Sequence, residues 1–395
     1  MNYRIGFWSL VGVVLVGSLL AMAVLISYEK RPMDILSRML QPNVSVEDHY
    51  AWLPNHYTEE MDVAPHSYTK NVTTLDDFYE WRDRQDGVLA QFQDRPNVHD
   101  ITEQPAELLE SRSEAGYTLN KFAMKAFFDA ETIIFYELLP ERDIAQYNAV
   151  LVVPGSGHQG ALDVLGEPGP WQAHYYHDRI AKILGAEGYA VYVVELRGYG
   201  QRAIDVGSAC NTSKNPTTCS SAAVEGKMRA FGIDMSDLRT DEITQVLAYI
   251  KARPYIDRIA VAGLSAGAGL AADQAIINRS VVDAIVLASG IGTTLYSPIN
   301  MQQLVLHNQA ACCDTMDQIA TIAPTPAYIS FGKQESTSFR WHAESGFVEE
   351  SLGEAYRLHG KPENLYHYVH EGGHGYHIPT VLDFLNTHIG TEAGR

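Results

Sequence analysis

The sequence predicts an α/β protein, a mainly parallel sheet of eight strands with helices on both faces and an antiparallel hairpin leading in. Three observations carry this. Short apolar runs (NAVLVV, YAVYVVEL, RIAVAGL, AIVLAS, PAYISF and NLYHYVH) recur along the second half of the chain. Segments of helical periodicity separate them, and such alternation demands parallel strands covered on both faces. Before the first run, YTLNKFAMKAF and ETIIFYELL are joined by a turn at FDAE and read as a hairpin.

The elements follow in order. Thr74 to Phe92 is predicted helical, with Thr74 as N-cap ahead of Asp76 and Asp77. The strand NAVLVV runs into Pro154-Gly155-Ser156-Gly157-His158. A helix is expected from Trp171 to Glu187 and another from Met235 to Arg253, where Leu238, Ile243, Val246, Leu247 and Ile250 recur at helical spacing. SAGAGLAADQAII is a helix that follows the strand RIAVAGL directly, and Ile378 to His388 closes the chain.

The domain organisation expected is a leader over 1–28, a polar linker and helical segment over 29–97, and a catalytic body over 98–395. Ile5 to Ser27 carries no charge and is close to the ~20 residues that span a bilayer as a helix. Two readings stay open. An uncleaved transmembrane signal anchor fits its length, and a cleaved signal peptide fits the small residues Ala21 and Ala23. Either places the body outside the cytoplasm, periplasmic or extracellular. Cys210 and Cys219 bracket the polar loop CNTSKNPTTC, which a disulfide would close in an oxidising compartment; four free thiols, with Cys312 and Cys313 adjacent, is the alternative. A formal net charge of -19 argues against nucleic acid and anionic membrane surfaces as partners of the body. No cysteine or histidine spacing suggests zinc, no cofactor is expected, and the oligomeric state is left open.

Four groups of residues carry chemistry. Gly263-Leu264-Ser265-Ala266-Gly267 lies between a strand and a helix, so Ser265 sits on a sharp turn that needs small neighbours and lifts its hydroxyl above the sheet edge. His374, in Glu371-Gly372-Gly373-His374-Gly375, lies in a loop after the last strand, where a base can reach that serine; His377, just inside the closing helix, is the local rival. Glu335 follows the turn at Gly332 after PAYISF and is placed to orient the imidazole, with Glu371 and Asp383 as alternatives. The oxyanion hole is expected from the backbone N–H of Ala266 and one N–H in the loop Pro154 to Gly160, from Ser156 or Gly157. His158 either lines the pocket or is a polar loop residue. The order serine, acid, histidine along the chain suits this arrangement.

Taken together, VVPGSGHQG, YVVELRGYGQR, YIKARPYIDRIAVAGLSAGAG, IAPTPAYISFGKQES and HEGGHGYH resemble the dienelactone-hydrolase and acetyl-xylan-esterase branch of the α/β-hydrolase superfamily, over about Thr74 to His388. The resemblance implies an α/β-hydrolase fold and a Ser265, Glu335, His374 triad that cleaves carboxylic esters through an acyl-enzyme. It also implies a small-molecule or carbohydrate ester as substrate. Two departures stand out: glutamate replaces the usual aspartate at Glu335, and the usual S-x-G-G becomes Ser265-Ala266-Gly267-Ala268. The cysteine nucleophile of true dienelactone hydrolases is absent, which favours serine ester chemistry. The rivals are a serine peptidase of the prolyl-oligopeptidase type, for which the chain is short of a propeller domain, and a membrane-anchored binding protein with an inactive hydrolase fold.

Overall fold

The parallel strands of the central sheet feed two apolar layers, and this alternation builds the body. In the computed structural model, residues 72–390 are described except 93–97, 102–104, 127–130, 169–176, 204–220, 231–233, 293–314, 336–345 and a few shorter stretches. Leader residues Ile5 to Ser27, all four cysteines and His158 therefore lie outside the described residues. Among the described residues no helix is long and apolar enough to cross a membrane.

The strands are β1 (Glu107–Glu114), β2 (Tyr117–Lys125), β3 (Thr132–Pro140), β4 (Tyr147–Val153), β5 (Ala190–Val194), β6 (Ile256–Leu264), β7 (Ala284–Ala288), β8 (Ala327–Gly332) and β9 (Leu365–His370). They form one sheet in the order β1-β2-β3-β5-β4-β6-β7-β8-β9. Pairing is antiparallel from β1 to β3 and between β3 and β5, and parallel from β5 through to β9. The sheet thus has one strand more than the sequence suggested. Strand β1 reads ELLESRSE and is exposed along most of its length, so it offers no apolar alternation to detect. Most of its side chains face water, and it is held by its ladder to β2 and by the ion pair of Arg112 with Glu167.

The helices are α1 (Leu75–Phe92), α2 (Ala161–Leu165), α3 (Ile180–Glu187), α4 (Met235–Lys251), α5 (Ala266–Ile277), α6 (Thr315–Ala320), α7 (Phe347–Leu358) and α8 (Ile378–Ile389). In the parallel core, Ala149, Leu151, Val153, Ile259, Val261, Ile285 and Leu287 point into one layer. Their neighbours Val150, Val152, Ala260, Ala262, Ala284 and Val286 point into the other. Strands buried on both faces in this way need helices on both sides. Helices α4, α5, α6 and α7 supply one layer, and α2, α3 and α8 the other.

One predicted helix begins later than expected. The helix expected from Trp171 starts at Ile180, because Asp178 and Arg179 take left-handed conformations (φ 52° and 56°) that interrupt a right-handed path. Helix α1 is capped as expected: the Thr74 hydroxyl accepts from the Asp77 N–H at 3.1 Å, and the Asp77 carboxylate accepts from the Thr74 N–H at 3.0 Å. Phe78 and Trp81 of α1 lie in the same core layer as α4 and α5. Asp86 clamps Arg279 with two hydrogen bonds of 2.7 and 2.8 Å, and the Val98 N–H donates to the Asn278 side chain at 2.8 Å. The N-terminal helix is thus bolted to the end of the helix that follows the serine. Trp81→Ala is expected to destabilise the body by about 3–5 kcal/mol, the usual cost of emptying a buried tryptophan site, as measured by urea unfolding; a loss below 1 kcal/mol would show that α1 packs only loosely.

Candidate active site

Ser265 occupies a one-residue turn between β6 and α5, with φ 58° and ψ -123°. A non-glycine residue held there costs about 1–3 kcal/mol and persists only where its surroundings over-determine it. Those surroundings are close-packed backbone. A Cβ added to Gly263 would lie 2.0 Å from the Gly267 carbonyl oxygen, and one added to Gly267 would lie 2.2 Å from the carbonyl oxygen of Val153 and 2.6 Å from that of Pro154. The Ser265 N–H donates to the Ala288 carbonyl at 2.9 Å, and its carbonyl accepts from the Ala268 N–H at 2.9 Å. The serine is thereby fixed between β4, β6 and β7, at the N-terminus of α5 whose first N–H groups, that of Ala266 included, have no intrahelical partner.

Glu335 and His374 are brought together. His374 Nδ1 lies 2.9 Å from Glu335 Oε2. A carboxylate can only accept, so Nδ1 carries a proton, and in the neutral ring Nε2 is then the nitrogen with the lone pair. The Glu335 side chain is 0% exposed and that of His374 34% exposed. Burial raises the Glu335 pKa, but hydrogen bonds from His374, the Gly332 N–H and Ser289 outweigh it and hold the carboxyl below its usual range. The two loops are laced by backbone: Lys333 N–H donates to the His370 carbonyl at 2.8 Å, and Gln334 N–H to the Gly372 carbonyl at 2.9 Å. Gly332 faces that lacing, where a Cβ would lie 2.3 Å from the Gly373 carbonyl oxygen.

The alternatives are engaged elsewhere. Glu371 pairs with Lys333 on the surface, its side chain 83% exposed. Asp383 lies on the exposed face of α8. His377 Nδ1 contacts the Thr380 hydroxyl at 2.9 Å at the start of α8. In the loop after β4, Ser156 is exposed and Gly157 half-buried, while the Gly155 N–H is already used: it donates to His177 Nε2 at 2.9 Å.

Several residues that shape the site were not legible as such. Ser289, buried and at φ 52°, donates its hydroxyl to Glu335 Oε1 at 2.5 Å. Gly290 follows, and a Cβ there would lie 1.9 Å from the Ser265 carbonyl oxygen. One turn after β7 thus touches both the serine backbone and the acid. The Ser-Gly pair at the end of AIVLAS was the available signal, since a strand that ends so abruptly marks a tight approach. Beside the loop after β4, His177 and Asp163 are also buried and paired at 2.7 Å.

The segment ELRGYGQR after β5 is held by charge. Glu242 of α4 accepts from Arg197 at 2.8 and 2.5 Å and from Arg202 at 2.5 and 2.8 Å. Arg239 donates to the Arg197 carbonyl at 2.8 Å and to Ser221 at 2.7 Å, and stacks over Tyr199. Glu195 accepts from the Ala161 N–H at 3.1 Å and from the Gln201 N–H at 3.3 Å. Among the described residues no group of three or more His, Cys, Asp and Glu is arranged to hold a metal ion.

Two outcomes are expected. Ser289→Ala removes a charge-assisted hydrogen bond to Glu335 and should lower stability by about 1.5–3 kcal/mol, as measured by urea unfolding; no change would show that the bond is not made. Burial, opposed by the two backbone N–H groups, pushes Glu195 up to about 8. The folded state then holds the proton more tightly than the unfolded one. Stability should therefore decline as pH rises from the ordinary carboxylate range to about 8 and level off above it. Glu195→Gln should flatten that slope in urea titrations from pH 5 to 9; an unchanged slope would contradict the assignment.

A family model described as an alpha/beta hydrolase family matches residues 149–377, which is more than half of the chain. No curated protein sequence matches. Among solved structures, a protein of Bacteroides fragilis NCTC 9343 assigned as an acetyl xylan esterase is 16% identical, with 83% of this chain and 87% of that one covered and a TM-score of 0.65. A methylesterase is also 16% identical, with 84% and 68% covered and a TM-score of 0.60. A CE15 glucuronoyl esterase of Teredinibacter turnerae T7901 is 16% identical, with 80% and 86% covered and a TM-score of 0.55. At these identities the likeness is one of fold. The strand order, the turn at Ser265 and the family match lead to one conclusion: this chain belongs to the alpha/beta hydrolase family.

Proposed function

We propose that the chain hydrolyses a carboxylic ester through an acyl-enzyme on Ser265. The observation that carries this reading is the fully buried Glu335 carboxylate bound to Nδ1 of the half-exposed His374, which leaves Nε2 to act as base. Both residues leave the C-terminal ends of strands in the same sheet as the strand that ends at Ser265.

In the first step His374 Nε2 takes the Ser265 proton as Oγ attacks the ester carbonyl. The C–O bond to the alcohol then breaks, and His374 returns the proton to the departing oxygen. Water, deprotonated by the same nitrogen, attacks the acyl-enzyme and releases the acid and Ser265. The oxyanion formed in each step is held by the Ala266 N–H and by an N–H of Ser156 or Gly157. Glu335 fixes the tautomer and stabilises the imidazolium, and its low pKa keeps it ionised for that task.

For the substrate we favour an ester carried by a carbohydrate. The support is the names of structures of the same fold, an acetyl xylan esterase and a CE15 glucuronoyl esterase among them. For location, the uncharged leader Ile5 to Ser27 supports a body that works outside the cytoplasm, anchored or released after cleavage.

The test is turnover of a short-chain activated ester, followed by acetylated and uronoyl carbohydrate esters. Ser265→Ala and His374→Ala should each lose roughly 10⁴-fold or more in kcat, and Glu335→Gln roughly 10³–10⁴-fold, all with native unfolding curves. Undiminished turnover in Ser265→Ala would refute the nucleophile.

A further inference from the structure

On the reading of Ser265 as nucleophile, we propose that His177 and Asp163 form a positioning dyad. It sets the oxyanion loop by holding the Gly155 peptide. His177 is 0% exposed, and the Asp163 side chain 2% exposed. His177 Nδ1 lies 2.7 Å from Asp163 Oδ2, and its Nε2 lies 2.9 Å from the Gly155 nitrogen. A carboxylate accepts and a backbone N–H donates. The two contacts therefore require the same species, a neutral imidazole with its proton on Nδ1. Burial lowers the His177 pKa first of all, Asp163 works to raise it, and the nearby His374 lowers it further.

The fold delivers these groups deliberately. Asp178 and Arg179, both left-handed, turn the chain so that His177 precedes α3 rather than lying within it. Asp163 stands on α2, the helix into which the oxyanion loop itself runs. The far end of the loop is also tied, since the Ala161 N–H donates to Glu195 at 3.1 Å. Ser156 and Gly157 thus hang between two anchored peptides. The near anchor abuts the nucleophile helix, where a Cβ on Gly267 would meet the Pro154 carbonyl oxygen at 2.6 Å. A shift of the Gly155 peptide therefore moves the oxyanion donors relative to Ser265.

Such a dyad touches no substrate and acts through the loop. Its removal should weaken transition-state stabilisation and spare ground-state binding. Asparagine can place a nitrogen near Nδ1 but nothing near Nε2, while glutamine can place an oxygen near Nε2. On p-nitrophenyl acetate, full-length His177→Asn should lose roughly 10–100-fold in kcat, part of the cost of losing an oxyanion donor, with KM little changed. His177→Gln should recover most of that loss. Equal kcat in wild type and His177→Asn overturns the proposal, as does an equal loss in both variants that tracks lowered thermal stability. Should His177→Asn not fold, nitrogen NMR of ¹⁵N-histidine-labelled wild type decides, with the His177 signals identified by their loss in His177→Gln. A neutral Nδ1–H tautomer at neutral pH supports the dyad; an imidazolium or an Nε2–H tautomer overturns it. Wild-type turnover that survives Ser265→Ala would instead defeat the nucleophile on which the proposal rests.

Discussion

The rest of the site depends on the backbone turn at Ser265. A serine at φ 58° is held against its own preference by contacts that admit no side chain on Gly263, Gly267 or Gly290. Two of those contacts tie the turn to neighbouring strands. Gly267 meets the end of β4, and Gly290 follows β7, whose last carbonyl accepts the Ser265 N–H. The parallel sheet is what brings these strand ends side by side, and its two apolar layers hold it rigid. Strain at the turn is therefore borne by the whole sheet, and in return the hydroxyl is delivered to one place.

A second constraint is the number of polar groups buried around that turn. Glu335, Ser289, His177, Asp163, Glu195, Arg197 and Glu242 are all buried beneath the strand ends. Buried polar groups are tolerated when they are hydrogen-bonded, and here Glu335, His177 and Glu195 accept from backbone N–H groups of the loops around the site, while the others pair with side chains. These side chains replace secondary structure as the partners of loop backbone. Loops that would otherwise be soft become fixed in relation to the sheet, as preorganised electrostatic catalysis requires. Glu195 pushed up to about 8 marks how far this burial goes.

Much of this was legible in the sequence, for identifiable reasons. The apolar runs of β4 to β8 are continuous because both faces of each strand are covered, so they stand out. Ser265, Glu335 and His374 stood out as candidates because each follows a predicted strand and lies close to a glycine. Strand β1 was not found, since its exposed residues carry no periodicity. Nor was the start of α3, because Asp178 and Arg179 adopt left-handed φ without being glycine. His177 and Asp163 carry no motif. They are 14 residues apart and meet only because the loop, α2 and the turn before α3 fold back on one another. Ser289 shows the same limit, as its role follows from an acid 46 positions later. Contacts of that kind are properties of the sheet order, which no local pattern encodes.

The central claim is that the strained serine, and no other residue, becomes covalently bonded to the acyl group. The direct measurement is intact-mass and peptide mapping of the full chain after reaction with a fluorophosphonate. A single adduct per chain, mapped to Ser265 and absent after denaturation before labelling, is the predicted result. An adduct on another residue, or none in folded protein, would contradict it.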